Sequence, residues 1–368
     1  MKIVVEQEKL AKALNNVSRI VAGGKTTLPI LNNVLIRVDA GKATLTTTNL
    51  DMAVVDYLPV IESVDGVITA PARLMAEFVS NLPKNAKVEI EDKDKKITLK
   101  SGNYKATVNG VEADDFPEMP EVDEKKSVAF VMGVDEFRAG LSEVLVATSN
   151  DTSRPALTGV FYNTFNDSLF VAATDGYRLA DRKIVEKVKS EVKAIVPTMP
   201  LNEAMRAIQE DTEEVEILFN ELMVQIRVGE VEITSKLIDG SYPDYRQLIP
   251  KNSEENIEVK KEELVRTVKL AALFSKTVGG TIKVETDAKN GKLRVLAVAN
   301  EMGENASEIE TKVEKDEKIT LNAKYLLDAL NCIEEESVII GLSPNLAPMV
   351  VKNAKSSDYT HIIMPLNV

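Results

Sequence analysis

Cysteine is nearly missing from this chain. Cys332 stands alone among 368 residues, so one copy can form neither a disulfide nor a cysteine zinc site. Such sparing use fits a reducing cytoplasm. Histidine is as scarce. His361, in the strand-like run YTHIIMP, is the sole imidazole, which excludes a histidine metal cluster within one chain. Its setting favours a buried or edge-strand histidine over a Ser-His-Asp base. No apolar run approaches the roughly 18 residues that span a bilayer, and MKIVVEQEKL lacks the apolar stretch of a signal peptide. A cytoplasmic protein without membrane contact is expected. Neither GxxxxGK[ST] nor GxGxxG occurs, and the bare pair Gly279-Gly280 reads as a turn before a strand. No metal or cofactor is expected. Basic charge is also short: 45 Lys and Arg face 58 Asp and Glu, a net −13. Such a chain repels nucleic acid unless its basic side chains gather on one face.

What is present is repetition. Hydrophobic residues make up 44% of the chain, enough for a folded protein of two or three domains. Three segments beginning at Val5, Val131 and Val259 share apolar columns: Leu10/Phe137/Leu264, Leu14/Leu141/Val268 and Val17/Val144/Ala271. The columns repeat every 127 residues, and each set falls at i, i+4 and i+7, one face of an amphipathic helix. A second helix repeats as Met75/Leu201/Leu326, Val79/Met205/Leu330 and Leu82/Ile208/Ile333. Strand-like runs follow at Ala43, Leu169 and Leu293, and hairpin-like pairs close each copy. Proline-containing breaks end the first two copies, at DDFPEMP and GSYPDYRQLIP. The pattern predicts three α+β domains, 1–126, 127–254 and 255–368, each with two helices covering a sheet.

The stretch ATDGYRL, Ala173–Leu179, puts an acid, a phenol and a guanidinium within four positions. One reading is an enzyme site built on Asp175, Tyr177 and Arg178. The same turn recurs, however, at Thr48–Asn49 and Ala299–Asn300. Asn or Asp after a strand is ordinary turn chemistry, and no histidine or second acid lies nearby in sequence to act as partner. A turn is therefore the expected role of Asp175 and Gly176. A further reading is a repeat scaffold that binds proteins but no DNA.

The motifs also carry a family likeness. TLPILNNVLI, TAPAR, ADDFP, ATDGYRLA, SKLIDGSYPDYRQLIPKN, LNAKYLLDAL and the terminal IIMPLNV occur in order from end to end. On these the chain resembles the bacterial β sliding clamps, the processivity subunits of DNA polymerase III. The resemblance implies a non-catalytic protein with the clamp fold. Two copies would join head to tail into a six-domain ring, with helices lining a hole through which duplex DNA passes. The implied partners are the DNA polymerase III alpha subunit, the clamp-loader delta subunit, and other polymerases and repair proteins that dock through short peptides.

Position by position, the likeness assigns a peptide pocket to Leu157, Thr174, Gly176, Tyr177, Arg178 and Leu179. Pro243 and Leu248 would floor it. Asn322, Tyr325, Leu346, Pro348, Ile362, Met364, Pro365 and Leu366 would complete it. An apolar pocket of this kind rewards each buried peptide anchor by about 1.5–3 kcal/mol. Gln247 and the Asn367-Val368 ending depart from the family pattern and imply a weaker preference for acidic peptide residues. Lys25, Arg73 and Arg154 match DNA-facing positions, whereas Pro155, Ala156 and Thr198 replace family contacts. Leu273 and Phe274 on one side, and Ala106 and Val108 on the other, match the dimer joint. The residues themselves say less about DNA. Opposite the apolar helix stripes stand Lys12, Arg19, Arg73, Arg206, Arg266, Lys269 and Lys324. On the same faces lie Glu8, Glu77, Asp135, Glu203, Glu210, Glu262, Asp328 and Glu335, so charge there is near balance.

Overall fold

The computed structural model of the chain describes residues 1–21, 28–118, 122–250, 252–276, 279–299, 303–344 and 346–366. These residues form two compact units. The first is Met1–Val134 with Met199–Leu237, and the second is Asp135–Thr198 with Ile238–Val368. The middle repeat is thus shared between the two.

Six α-helices carry the repeated columns: α1 (Gln7–Ser18), α2 (Ala72–Ser80), α3 (Val134–Leu145), α4 (Thr198–Ala207), α5 (Lys261–Ser275) and α6 (Ala323–Cys332). In the first unit α1 packs on α2, and in the second α5 packs on α6. The column residues of α1, α2, α3, α5 and α6 are buried, as their spacing predicts. In α4 the buried face is turned. Met205 and Ile208 are only partly covered, while Pro200, Glu203, Ala204 and Ala207 face inward with Leu201. The cause is an ion pair. Glu203 accepts from Arg19 Nε at 2.7 Å and also from Arg206, so a carboxylate expected outside lies buried. Arg19 reaches on to Asn16, which donates to buried Asp56 at 2.8 Å. The seven basic residues opposite the helix stripes are all exposed.

Among the described residues every strand pairing is antiparallel, and each unit holds two sheets. In the first unit, a five-stranded sheet runs Glu62–Val64, Lys2–Glu6, Lys87–Lys93, Lys96–Ser101, Tyr104–Asn109. An eight-stranded sheet joins strands of the middle repeat to the first repeat where Val231–Lys236 pairs with Met52–Leu58. The second unit repeats this design. Its eight-stranded sheet joins the middle and third repeats where Arg178–Glu186 pairs with Tyr359–Ile363. Its four-stranded sheet runs Gly303–Glu310, Lys292–Ala299, Thr281–Asp287, Lys318–Asn322. A sequence repeat is therefore not a closed sheet: each repeat lends an edge strand to its neighbour, which removes an exposed edge.

His361 lies fully buried on Tyr359–Ile363, with Nδ1 2.9 Å from Tyr359 Oη. Burial pushes its pKa down to about 3. That is the buried strand histidine expected from its sequence setting.

Candidate functional site

The ATDGYRL turn links strand Ser168–Thr174 to strand Arg178–Glu186. Its shape comes from short side chains bonding their own backbone. Thr174 Oγ1 donates to Arg178 O at 2.6 Å and accepts from Gly176 N. Asp175 Oδ1 accepts from the backbone N–H groups of Tyr177 and Arg178 at 2.9 and 3.0 Å. Gly176 sits at φ +91°, a left-handed conformation that costs glycine little. The first repeat builds the same turn. Thr48 Oγ1 donates to Met52 O, and Asn49 Oδ1 accepts from Asp51 N and Met52 N, with Leu50 at φ +76°. The first two repeats share the turn, and its acid serves as a hydrogen-bond acceptor; the expected third copy, at Ala299–Asn300, runs outside the described residues.

The middle copy differs at the arginine that closes its turn. Arg178 is 7% exposed, and its guanidinium donates to Asp175 Oδ2 at 3.0 Å and to Asp328 Oδ2 at 2.6 Å. It also lies 4.5 Å from the centre of the Tyr325 ring. Asp328 accepts from Lys324 Nζ as well. Burial alone would raise the Asp328 carboxyl, but the bonds from Lys324 and Arg178 outweigh it and hold the group below the ordinary carboxylate value. Asn322 caps α6 by accepting from Lys324 N at 2.8 Å.

Around this anchor the expected pocket residues separate into two tiers. Leu157, Thr174, Arg178, Leu179 and Ile362 are buried. Leu179 and Ile362 belong to a sealed cluster with Ala172, Tyr245 and Val350, against which Phe161, Tyr242 and Ile249 pack. They form a floor. The accessible tier is Tyr177, Leu248, Leu346 and Met364, exposed by 62%, 56%, 66% and 37%. Gly176 and Pro243 are exposed too, and Asn322, Tyr325, Pro348, Pro365 and Leu366 are partly so. Met364 N donates to Tyr177 O at 2.8 Å, fastening the C-terminal segment beside the turn.

The 238–250 segment is held by aromatic contacts that sequence reasoning missed. Tyr242 stacks on Phe161 at 4.6 Å between centroids, and Tyr245 Oη donates to Asp181 Oδ1 at 2.6 Å. The Arg246 guanidinium lies 4.3 and 4.2 Å from the Phe165 and Phe170 rings. The signal available was the aromatic-rich run YPDYR.

The remaining expected residues are scattered. Lys25, Asn367 and Val368 lie outside the described residues. Arg73 is exposed and donates to Val21 O at 3.0 Å. Arg154, expected beside DNA, has Nη1 3.9 Å from where a side chain on Gly176 would begin, so it borders the turn. Leu273 is 62% exposed and Phe274 partly so, whereas Val108 is 7% exposed and belongs to the core of its own sheet, with Ala106 half-buried beside it. Among the described residues no cluster of metal-ligating side chains occurs, and no helix is long and apolar enough to cross a membrane.

Helix pairs packed on antiparallel sheets, repeated along the chain, define the DNA-clamp fold. Three family models match in turn: the DNA polymerase III beta subunit N-terminal domain over residues 1–120, its central domain over 132–244 and its C-terminal domain over 246–367. The chain belongs to the DNA polymerase III beta subunit family. It is 30% identical to the beta sliding clamp of Synechococcus elongatus and 28% identical to that of Escherichia coli K12, covering all of each. The structure of a Pseudomonas aeruginosa DnaN sliding clamp bound to griselimycin superposes at a TM-score of 0.94 over both full chains, with 27% identity.

Proposed function

We propose that two copies of this chain close head to tail into a ring that encircles duplex DNA and tethers the replicative polymerase. The observation that carries this reading is a pair of matching joints with a third left open. In the first unit Met52 pairs with Ser235 and Asp56 with Val231. In the second, Arg178 pairs with Ile363 and Arg182 with Tyr359. The first members of these pairs begin strands 126 residues apart, and Gly303 begins a strand a further 125 on. The second members begin at Val231 and Tyr359, and Tyr104 begins a strand 127 before Val231. So Gly303–Glu310 and Tyr104–Asn109 are the third pair by position, and among the described residues each is an unpaired edge of its sheet. Joined between copies in the same register, Asn305 faces Ala106, and Gly303 faces Val108. Exposed Leu270 and Leu273 on α5 would then be covered, as a stable interface requires.

The three domains of this ring are taken as 1–126, 127–254 and 255–368, which the spans of the family matches support. Lys25, Arg73 and Arg154 are offered as contacts to DNA. The tier of Tyr177, Leu248, Leu346 and Met364 over its buried floor is offered as the site where short peptides of the polymerase III alpha subunit, the clamp-loader delta subunit and repair proteins dock. Near balance of charge on the outward helix faces suits a sleeve that slides, because tight phosphate contacts would add salt dependence of about −0.9 each in log–log slope. Retention is then topological. The protein, loaded on nicked circular DNA by a clamp loader, should survive high salt and fall off when the circle is cut. Release by salt alone, with no response to cutting, would mean ordinary electrostatic attachment.

A further inference from the structure

The surface that carries the docking tier does not end there. Leu346, Pro365 and Leu366 also border a hollow of about 680 Å3 whose other lining includes Lys283, Lys318, Thr320 and Ser343, and no carboxylate. In a chain of net charge −13 such a place stands out. Its walls are set by the four-stranded sheet. Thr320 pairs with Lys283, and Lys318 with Glu285, across two antiparallel strands, so all four side chains share one sheet face. Leu366 N donates to Thr320 O at 2.8 Å, which seats the apolar tail against that row. Glu285 engages Lys283. Lys318 is exposed and makes no ion pair among the described residues. The cationic stretch is short, because the next hollow, about 580 Å3, adds Glu285, Asp316 and Glu317 around the same Lys318 and Leu346. On the 238–250 segment Gln247 is neutral and donates its amide to exposed Asp244 at 2.5 Å.

We propose that the docking site reads a short acidic flank beside the apolar anchors of its peptide, one or two residues long, through Lys318 with Lys283. This rests on the peptide-docking reading given above. Its warrant is charge complementarity in a hollow continuous with the apolar tier.

The test uses the full chain and fluorescein-labelled peptides with leucine and phenylalanine anchors. One carries the anchors alone, two add a pair of aspartates before or after them, and a fourth adds five. At 50 mM salt, one of the two-aspartate peptides should bind about 2- to 10-fold tighter than the bare one, the range of two exposed ion pairs. The gain should vanish at 0.5 M salt, where screening shortens the reach of exposed charges. It should be lost in Lys318→Glu, read as the ratio of flanked to bare peptide within the same protein. Five aspartates should add nothing beyond two, since the run meets Asp316 and Glu317. Equal binding of bare and flanked peptides by the parent, or a gain that survives Lys318→Glu, overturns the inference while leaving the docking site standing. Failure of the bare peptide to bind at all defeats the docking site itself, and the inference with it.

Discussion

Arg178 donates through Nη1 to Asp328 Oδ2 at 2.6 Å, although 150 positions separate the two in sequence. The same side chain holds Asp175 and faces Tyr325, so one buried cation fixes both the turn and helix α6. Asp328→Ala should therefore cost stability by about 1–3 kcal/mol, the price of leaving a buried charge with one partner fewer. Arg178→Ala should cost more, because two carboxylates lose their cation. Urea midpoints compare the two directly, and an Asp328→Ala protein as stable as its parent would show the pair to be idle.

From its sequence setting, Asp175 is expected to matter for turn shape alone. The structure adds a second task, since Oδ2 accepts from Arg178 Nε while Oδ1 holds the turn. Asn49 performs the backbone task in the first repeat, so Asp175→Asn should keep the turn. It should still lose about 1 kcal/mol through the Arg178 bond, and Asp175→Ala clearly more. Equal loss in both variants would mean that the backbone bonds carry nothing.

Leu179 and Met364 should respond differently to the same change. Leu179 is 2% exposed within a sealed cluster, so Leu179→Asp buries a charge and should unfold this region before any question of binding arises. Met364 is 37% exposed, so Met364→Asp should leave the melting temperature within a few degrees of the parent and weaken peptide binding about a hundredfold. Calorimetric melting and peptide titration of both proteins separate these outcomes.

The open edges give a distance test for the ring. Asn305→Cys with Ala106→Cys should cross-link two copies on mild oxidation, because facing residues of antiparallel strands bring their Cα atoms to about 4.5–5.5 Å, a span that a disulfide bridges. Cys332 is a weak competitor, since burial pushes its thiol up to about 12. Leu273→Ala with Phe274→Ala should turn the dimer into folded monomer, visible by light scattering against the 40.4 kDa chain mass.

Two buried groups tilt stability with pH in opposite senses. His361, pushed to about 3 by burial, cannot take the proton that its unfolded form takes below 6.5, so stability falls as pH drops from 6.5 toward 3. As the sole imidazole, it should show NMR resonances that do not titrate between pH 7 and 5. Asp56 is lifted to about 6, chiefly by burial and against the bond from Asn16. Between 3.8 and 6 the folded carboxyl keeps a proton that the unfolded one has lost, so stability falls as pH rises through that window. Asp56→Asn should gain about 1–3 kcal/mol over the parent at pH 8 and little at pH 4.

Periodicity in the sequence determined the helices and the repeat. Leu10, Leu14 and Val17 and their counterparts recur because a helix turns once in 3.6 residues, and burial of one face needs nothing remote to explain it. The turn in ATDGYRL was legible for the same reason, since its bonds reach only two to four residues. What tertiary structure alone decided are matters of partners far along the chain. Glu203 is turned inward by Arg19, which rotates α4 against its own apolar pattern. Leu179 and Ile362 are buried where strands from different repeats pair across one sheet, while Leu248 and Leu346 stay open. Local spacing cannot carry that information: which side of an apolar residue stays open depends on what the rest of the chain lays over it.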